Sequence, residues 1–367
     1  MKLNRLFFFI LLTLIFEISS SQSRKIINIP NIPGYQTLKC DFHMHTIFSD
    51  GTVWPTVRVN EAWEEGLDAI AISDHIEYRP HSKNVTGNHN TSFEIAEPLS
   101  KEKNIILIRA AEITRDMPPG HLNALFIRNA NLLDREDVND AIKEAHDQGA
   151  FILWNHPGWK VQQPDSTVWW DEHTYLLKNR MLHGIEVYNS NEFYPEALDW
   201  ALKKKLTMFA NTDAHGPIKT GEGHRPMTIV FSKSRTAGGI REALFSKRTI
   251  SYFGNTLVGE STLLDQIFFA SLEYQNTPLK LENEVTKTIS IKNNSDIDYE
   301  LELVQPGVGF DAPTEIKLPS HRIVSFELTG NSDEVNLMKN LNIYYKVKNL
   351  VVGVDENLIV TFSIQNI

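Results

Sequence analysis

Seven apolar runs of five to eight residues recur along the first two thirds of the chain, at Leu38–His43, Ala69–Ser73, Ile105–Glu112, Leu122–Ile127, Phe151–Asn155, Gly184–Tyr188 and Met208–Thr212. Runs of that size predict strands buried on both faces. Helix-like stretches lie between them. One starts at Pro55 and ends near Gly66, one runs from Arg135 to His146 and stops at Gly149, and one runs from Pro195 to Lys205. Proline suits the first helical turn and glycine the residue past the last. Alternating strand and helix at this spacing predicts parallel strands with crossover helices. Seven such strands favour a closed or nearly closed β/α barrel over an open sheet. After about residue 260 the pattern changes. Val285–Ile291, Glu300–Val304, Ile323–Leu328, Leu341–Val347 and Leu358–Ile364 alternate apolar and polar residues between turn clusters. That predicts a small C-terminal antiparallel β-sandwich.

The first residues stand apart. Lys2 and Arg5 precede an apolar run, Leu6–Phe16, and then Ser19, Ser20 and Ser21. This is the pattern of an export signal. The run is shorter than the roughly 20 residues of a spanning helix. The expected organisation is therefore a signal peptide at 1–21, a β/α barrel at 22–260 and a sandwich at 261–367. The mature chain is expected in the periplasm or secreted, without stable membrane insertion. Cys40 is the single cysteine, so no intrachain disulfide forms, and it is read as a small buried residue. The net charge of −10, from 36 Lys+Arg against 46 Asp+Glu, argues against a nucleic-acid partner, which would call for a basic surface.

The chemistry sits where the predicted strands end. Asp41-Phe42-His43-Met44-His45, Ser73-Asp74-His75, Glu112, His156-Pro157-Gly158 and Asp213-Ala214-His215 each follow or close an apolar run. In a parallel barrel those ends converge on one face. His-x-His and Asp-x-His put both side chains on one side of an extended backbone. Imidazoles and carboxylates together suit divalent Zn, Mn or Fe, and a carboxylate such as Glu112 can bridge two ions. Two or three ions close together can bind a phosphoryl oxygen and activate a water.

His43-Met44-His45-Thr46 with Ser49-Asp50-Gly51, then Ser73-Asp74-His75, Ala111-Glu112, Gly120-His121, Asn155-His156-Pro157 and Thr212-Asp213-Ala214-His215 resemble the ordered motifs of the PHP (polymerase and histidinol phosphatase) superfamily. The resemblance covers about residues 36–250. It implies a distorted seven-stranded (β/α) barrel of PHP type and a trinuclear metal site. Carried over by motif, His43, His45, Glu112 and Asp213 hold one ion, Glu112, His121 and His156 a second, and Asp50, His75 and His215 a third. An export signal, this barrel and a C-terminal β-domain together look like the Sb-PDE group, which implies hydrolysis of organophosphate diesters.

The function expected is metal-dependent hydrolysis of a small phosphate ester, most of all a diester, by a hydroxide held between ions. Asp213 orients that water or accepts its proton, and His121 or His224 protonates the leaving alkoxide. Arg225 and Arg115 could grip phosphate oxygens. Trp159, grouped in sequence with Trp169 and Trp170, could wall the pocket, and Asn189 and Glu192 could reach it. The rival readings are a phosphomonoesterase on the same site and a non-catalytic metal-binding protein.

Overall fold

The computed structural model describes residues 23–218, 225–275, 277–305 and 307–367. The expected signal peptide and His224 lie outside the described residues. The first unit contains strands β1 (Gln36–Asp41), β2 (Ala69–Ile72), β3 (Ile106–Ile113), β4 (Leu122–Leu125), β5 (Phe151–Trp154), β6 (Gly184–Asn189), β7 (Glu192–Phe193), β8 (Thr207–Asn211), β9 (Met227–Ser232), β10 (Thr249–Phe253) and β11 (Thr256–Gly259). Its helices are α1 (Pro55–Glu64), α2 (Thr91–Glu102), α3 (Val138–Asp147), α4 (Asp171–Lys178), α5 (Pro195–Lys204) and α6 (Ala237–Phe245). Every residue of β2, β4, β5 and β8 is buried, as expected of strands covered on both faces.

Two departures from simple alternation matter. Strands β1, β2 and β3 run parallel, and so do β5, β6 and β8, but β4 is antiparallel to both β3 and β5. Residues 114–121 return the chain directly as a loop, with no crossover helix, so β4 enters the sheet from the opposite end. Strand β9 also runs antiparallel, beside β1. The Thr228 hydroxyl on β9 donates to the Ala210 carbonyl and accepts from its N–H, which joins β9 to β8 around the barrel. The third expected helix begins later than Arg135, at Val138, where the Asp137 carboxylate accepts from the Asn139 N–H and caps it.

Helix α7 (Ser261–Ser271) leads into β12 (Leu272–Gln275), β13 (Thr286–Asn293), β14 (Tyr299–Gln305), β15 (Phe310–Asp311), β16 (Glu315–Leu318), β17 (Ile323–Gly330), β18 (Asn340–Gly353) and β19 (Glu356–Gln365). One sheet has the order β12-β13-β17-β15, and the facing strands β16, β14, β18 and β19 are antiparallel neighbours. Alternate residues, such as Ile343, Tyr345 and Val347 on β18, turn inward. The two units share a sheet, because β11 pairs in parallel with β18 through Leu257–Leu350 and Val258–Val351.

Candidate metal centre

The nine histidine and carboxylate side chains expected as ligands meet at one end of the barrel. His43 and His45 leave β1, His75 follows β2, Glu112 is the penultimate residue of β3, His156 follows β5, and Asp213 and His215 follow β8. The reversal of β4 completes the set. Its N-terminal end lies on the same face as the C-terminal ends of the parallel strands, so His121, one residue ahead of it, joins the cluster.

Donor atoms crowd together. The Nε2 atoms of His43 and His45 are 3.1 Å apart. Glu112 Oε2 lies 3.3 Å from each of them and 3.2 Å from His75 Nδ1. Asp213 Oδ1 is 3.1 Å from His43 Nε2 and 3.0 Å from His45 Nε2. His121 Nδ1 approaches Glu112 Oε1 at 2.8 Å, and His156 Nε2 stands 3.8 Å from Glu112 Oε1 and 4.0 Å from Asp213 Oδ2. On the outer side, Asp50 Oδ1 is 3.4 Å from His75 Nε2, and Asp50 Oδ2 is 3.3 Å from His215 Nε2. These atoms fall into four overlapping groups, His45/Asp50/His75/His215, His43/His45/Glu112, His43/His156/Asp213 and His75/Glu112/His121, each with its donor atoms within 4.8 Å of one another. Despite these short approaches, Glu112 Oε1, Asp213 Oδ1 and His121 Nδ1 are buried with no well-aligned hydrogen bond. A buried carboxylate oxygen left so is costly unless a cation takes it up, and hard oxygen beside imidazole nitrogen is the donor set of Zn, Mn or Fe. The residues therefore fit divalent ions.

The electrostatics follow from that crowding. Burial alone would lower His43, but Asp213, Glu186 and Glu112 outweigh it and raise it well above its ordinary value. His75 is pushed up to about 9, its burial outweighed by Glu112 and Asp50. Burial would raise Glu112 and Asp213, yet His75, His43 and His121 around the one, and His43 and His45 around the other, hold both carboxyls well below the usual range. The carboxylates are thus ionised and ready to ligate.

Several residues outside the expected ligand set position the cluster. Glu186, fully buried on β6, accepts from His43 Nδ1 at 2.9 Å, from the His156 backbone N–H at 2.7 Å, and from Asn189 and Asn211. Arg58 on α1 is also buried. Its Nε donates to the His45 carbonyl at 2.9 Å, and its Nη atoms donate to the carbonyls of Ala214 and Gly216 and to Glu61. It ties the His-x-His and Asp-x-His segments to one helix. Asp74 accepts from Thr46 N at 2.6 Å, from Thr46 Oγ1 and from Ser49 Oγ, and so fixes the loop that carries Asp50. In that loop a Cβ at Gly51 would come within 2.7 Å of the His45 carbonyl carbon, so only glycine fits. His156 and Asp213 both have positive φ, 27° and 52°, strained for such residues and concentrated at the site.

The cluster opens into a cleft of about 440 Å³ lined by Tyr78, Thr114, Trp159, Asn189, Ser190, Asn191, Glu192 and Tyr194 along with site residues. Trp159 packs edge-on to His121 and His156, at ring-centroid distances of 5.7 and 5.2 Å, and forms a wall as expected. Asn189 and Glu192 reach the cleft. Trp169 and Trp170 do not line it: Trp169 packs on Trp154 and Trp200, and Trp170 Nε1 donates to Gln163.

The two arginines expected to bind phosphate are placed otherwise. Arg225 is buried, with its guanidinium held by Asp41, Thr212 and Glu65, so it braces the barrel and has no free fork for substrate. Arg115 pairs with Glu77 at 2.9 Å and donates to the Arg135 carbonyl at 2.6 Å, outside the cleft lining. Among the described residues no lysine or arginine lines the cleft.

Comparison with known proteins agrees with this architecture. Residues 272–363 match the family of Ig-like domains. An uncharacterized protein of Methanocaldococcus jannaschii is 25% identical over 192 residues, which cover 49% of this chain and 83% of the relative. A two-domain protein of Bacteroides vulgatus that contains a predicted PHP-like metal-dependent phosphoesterase has a solved structure. It is 42% identical, superposes with a TM-score of 0.88, and the match covers 94% of this chain and 99% of that one. At that identity over both domains, the chain belongs to the PHP-like family of metal-dependent phosphoesterases.

Proposed function

We propose that the protein hydrolyses small organophosphate diesters at this centre, with divalent ions held by His43, His45, Asp50, His75, Glu112, His121, His156, Asp213 and His215. The observation that carries the reading is the convergence of these nine side chains with buried, unbonded carboxylate oxygens on Glu112 and Asp213. Ions held there would stabilise charge on phosphoryl oxygens and make a water more acidic.

The chain's own residues then do the following. Asp213 accepts the hydrogen bond that orients a water for in-line attack on phosphorus. As the new P–O bond forms, the ester P–O bond opposite it breaks. Asp213 takes up the proton the attacking water loses, and His121, facing the cleft beside Trp159, delivers a proton to the leaving oxygen when its ring holds no ion. Trp159 and Tyr78 pack against the apolar part of the ester, and Asn191 offers an amide donor. The absence of lysine and arginine from the described lining, with Glu192 present, supports a singly charged diester over a doubly charged monoester. Export of the mature chain to the periplasm or beyond, with such a diester met there, is part of the same proposal.

The test is to purify the chain, determine its metal content, and compare bis(4-nitrophenyl) phosphate with 4-nitrophenyl phosphate in added Mn or Zn. Faster diester cleavage, abolished by chelation and in Asp213→Asn, is the expected result. Faster monoester cleavage would move the protein to the phosphatase reading. Bound metal without cleavage of either would leave a metal-binding protein.

A further inference from the structure

The opposite end of the barrel has the reverse chemistry. A pocket of about 430 Å³ opens at the N-terminal ends of β5, β6 and β8, lined by His146, Arg180, His183, Lys205, Arg241 and Lys247 over an apolar floor that includes Phe151, Leu182 and Phe245. No aspartate or glutamate lines it, in a chain of net charge −10. Among the described residues Arg180, Lys205, Arg241 and Lys247 make no ion pair, and all four are exposed. The nearby acids are engaged elsewhere: Asp147 pairs with Lys143 and Glu242 with Arg248.

The backbone sets where these cations stand. Helices α3, α4, α5 and α6 all end around this pocket. Gly149 follows α3 with φ 80°, the ordinary left-handed way to leave a helix. The corresponding left-handed residues after the other three helices are Arg180, Lys205 and Lys247, with φ of 58°, 58° and 59°. Positive charge in a last helical turn suits the helix dipole, and Lys203 and Lys204 in α5 already supply it there. At the left-handed position itself glycine is less strained than a long side chain, and a cation there is also within reach of the helix dipole. Three cations in that conformation line the one pocket.

One of the cations is also pre-set. The Arg241 guanidinium lies 4.6 Å over the Phe245 ring and donates to the Gly149 carbonyl at 2.8 Å, so its plane is fixed at the rim. Phe245 is partly exposed and offers an apolar face beside that plane.

We infer that this pocket is a second ligand site, for a small organic phosphate with a doubly charged head and an aromatic or aliphatic body. Arg180, Lys205, Arg241 and Lys247 hold the head, and the body lies against Phe245 and Leu182. The inference does not depend on the reaction at the metal centre.

Phenylphosphonate, which has no hydrolysable ester, is the probe, titrated calorimetrically into the metal-loaded protein at low ionic strength, with inorganic phosphate and phenol as comparisons. Phenylphosphonate is expected to bind more tightly than inorganic phosphate, and phenol not to bind. The binding should survive Asp213→Asn and fall at least about tenfold in Arg180→Gln/Lys205→Gln/Arg241→Gln/Lys247→Gln, whose diesterase activity stays at the wild-type level. Lys205→Gly and Lys247→Gly give a signature that impaired folding cannot produce: thermal stability should rise while phenylphosphonate affinity falls. Binding lost in Asp213→Asn but kept in the fourfold variant would place the phosphonate in the catalytic cleft and overturn the inference. So would unchanged affinity in the two glycine variants.

Discussion

Glu186 accepts the Nδ1 proton of His43 at 2.9 Å while both side chains are shut off from solvent. That bond fixes the His43 tautomer, so that Nε2 carries its lone pair toward Glu112 and Asp213. Glu186 binds the His156 N–H with its other oxygen, and so holds two members of the cluster through one carboxylate. In Glu186→Gln the charge is gone and one acceptor becomes a donor. Metal affinity should fall by about 10–100-fold, as for other carboxylates behind a ligating histidine. Metal titration with a competing chelator checks this. Unchanged affinity would mean that packing alone orients His43.

Arg58 and Gly51 serve the same centre in different ways. Replacing Arg58 by Met leaves Glu61 buried without its partner and frees the carbonyls of His45, Ala214 and Gly216. Loss of one partner from such a buried network costs about 3–5 kcal/mol, and urea unfolding of the metal-free protein should show a loss of that size. Gly51→Ala should spare most of that stability. Its Cβ pushes on the backbone of His45 and Thr46, so the loss should appear as weaker metal retention. If the two variants have the same profile in both measurements, the division between scaffold and loop fails.

The contrast between these residues shows what the sequence made legible. Metal-ligand types at strand ends stand out because apolar runs stop abruptly at His43, Glu112, His156 and Asp213, and the structure gathers all of them. Arg225 looks like a free phosphate anchor because its partners, Asp41 and Glu65, are 184 and 160 residues away in the chain. Arg58 reads as an ordinary helix-surface cation for the same reason. Glu186 did leave a signal, as the lone carboxylate inside the apolar run Gly184–Tyr188. The reversal of β4 left none, since a short apolar run has no direction, and only the ladders with β3 and β5 reveal it.

Acid should destabilise the fold through two histidines that are not part of the metal cluster. His183 Nδ1 accepts from the Ile152 N–H at 3.0 Å, and His173 is buried with Nε2 on the Pro119 carbonyl at 2.8 Å and its ring stacked on Trp154. Burial pushes both down to about 4. An unfolded histidine titrates near 6.5, so below that pH the unfolded chain takes up protons that the folded chain refuses. The stability they support is complete above about 6.5, declines as pH falls toward about 4, and changes no further below that. Each histidine contributes up to about 3 kcal/mol across the window. Urea midpoints at pH 7, 5.5 and 4.5 should fall less steeply in His173→Gln/His183→Gln than in the wild type. Parallel slopes would assign the acid sensitivity to other groups.

The last prediction concerns the join between the domains. Strand β11 finishes the barrel's side of the sheet, yet its outer edge is taken by β18 through Leu257–Leu350 and Val258–Val351. Around it Asn255 donates to the Asp298 carbonyl at 2.7 Å, Asn349 donates to the Asn255 carbonyl at 2.7 Å, and Phe268 of α7 is buried against Tyr299 and Phe362. A chain ending at Gly259 would therefore expose a flat, apolar strand edge, the kind that pairs with other copies. It is expected to elute as oligomers in size-exclusion chromatography with light scattering, and to bind less metal per chain than the full protein. The Ig-like domain would then be part of the barrel's fold. A monomeric truncated chain with full metal content and the wild-type unfolding midpoint would instead make it a separable module, and its tight pairing with β11 would need a reason other than stability.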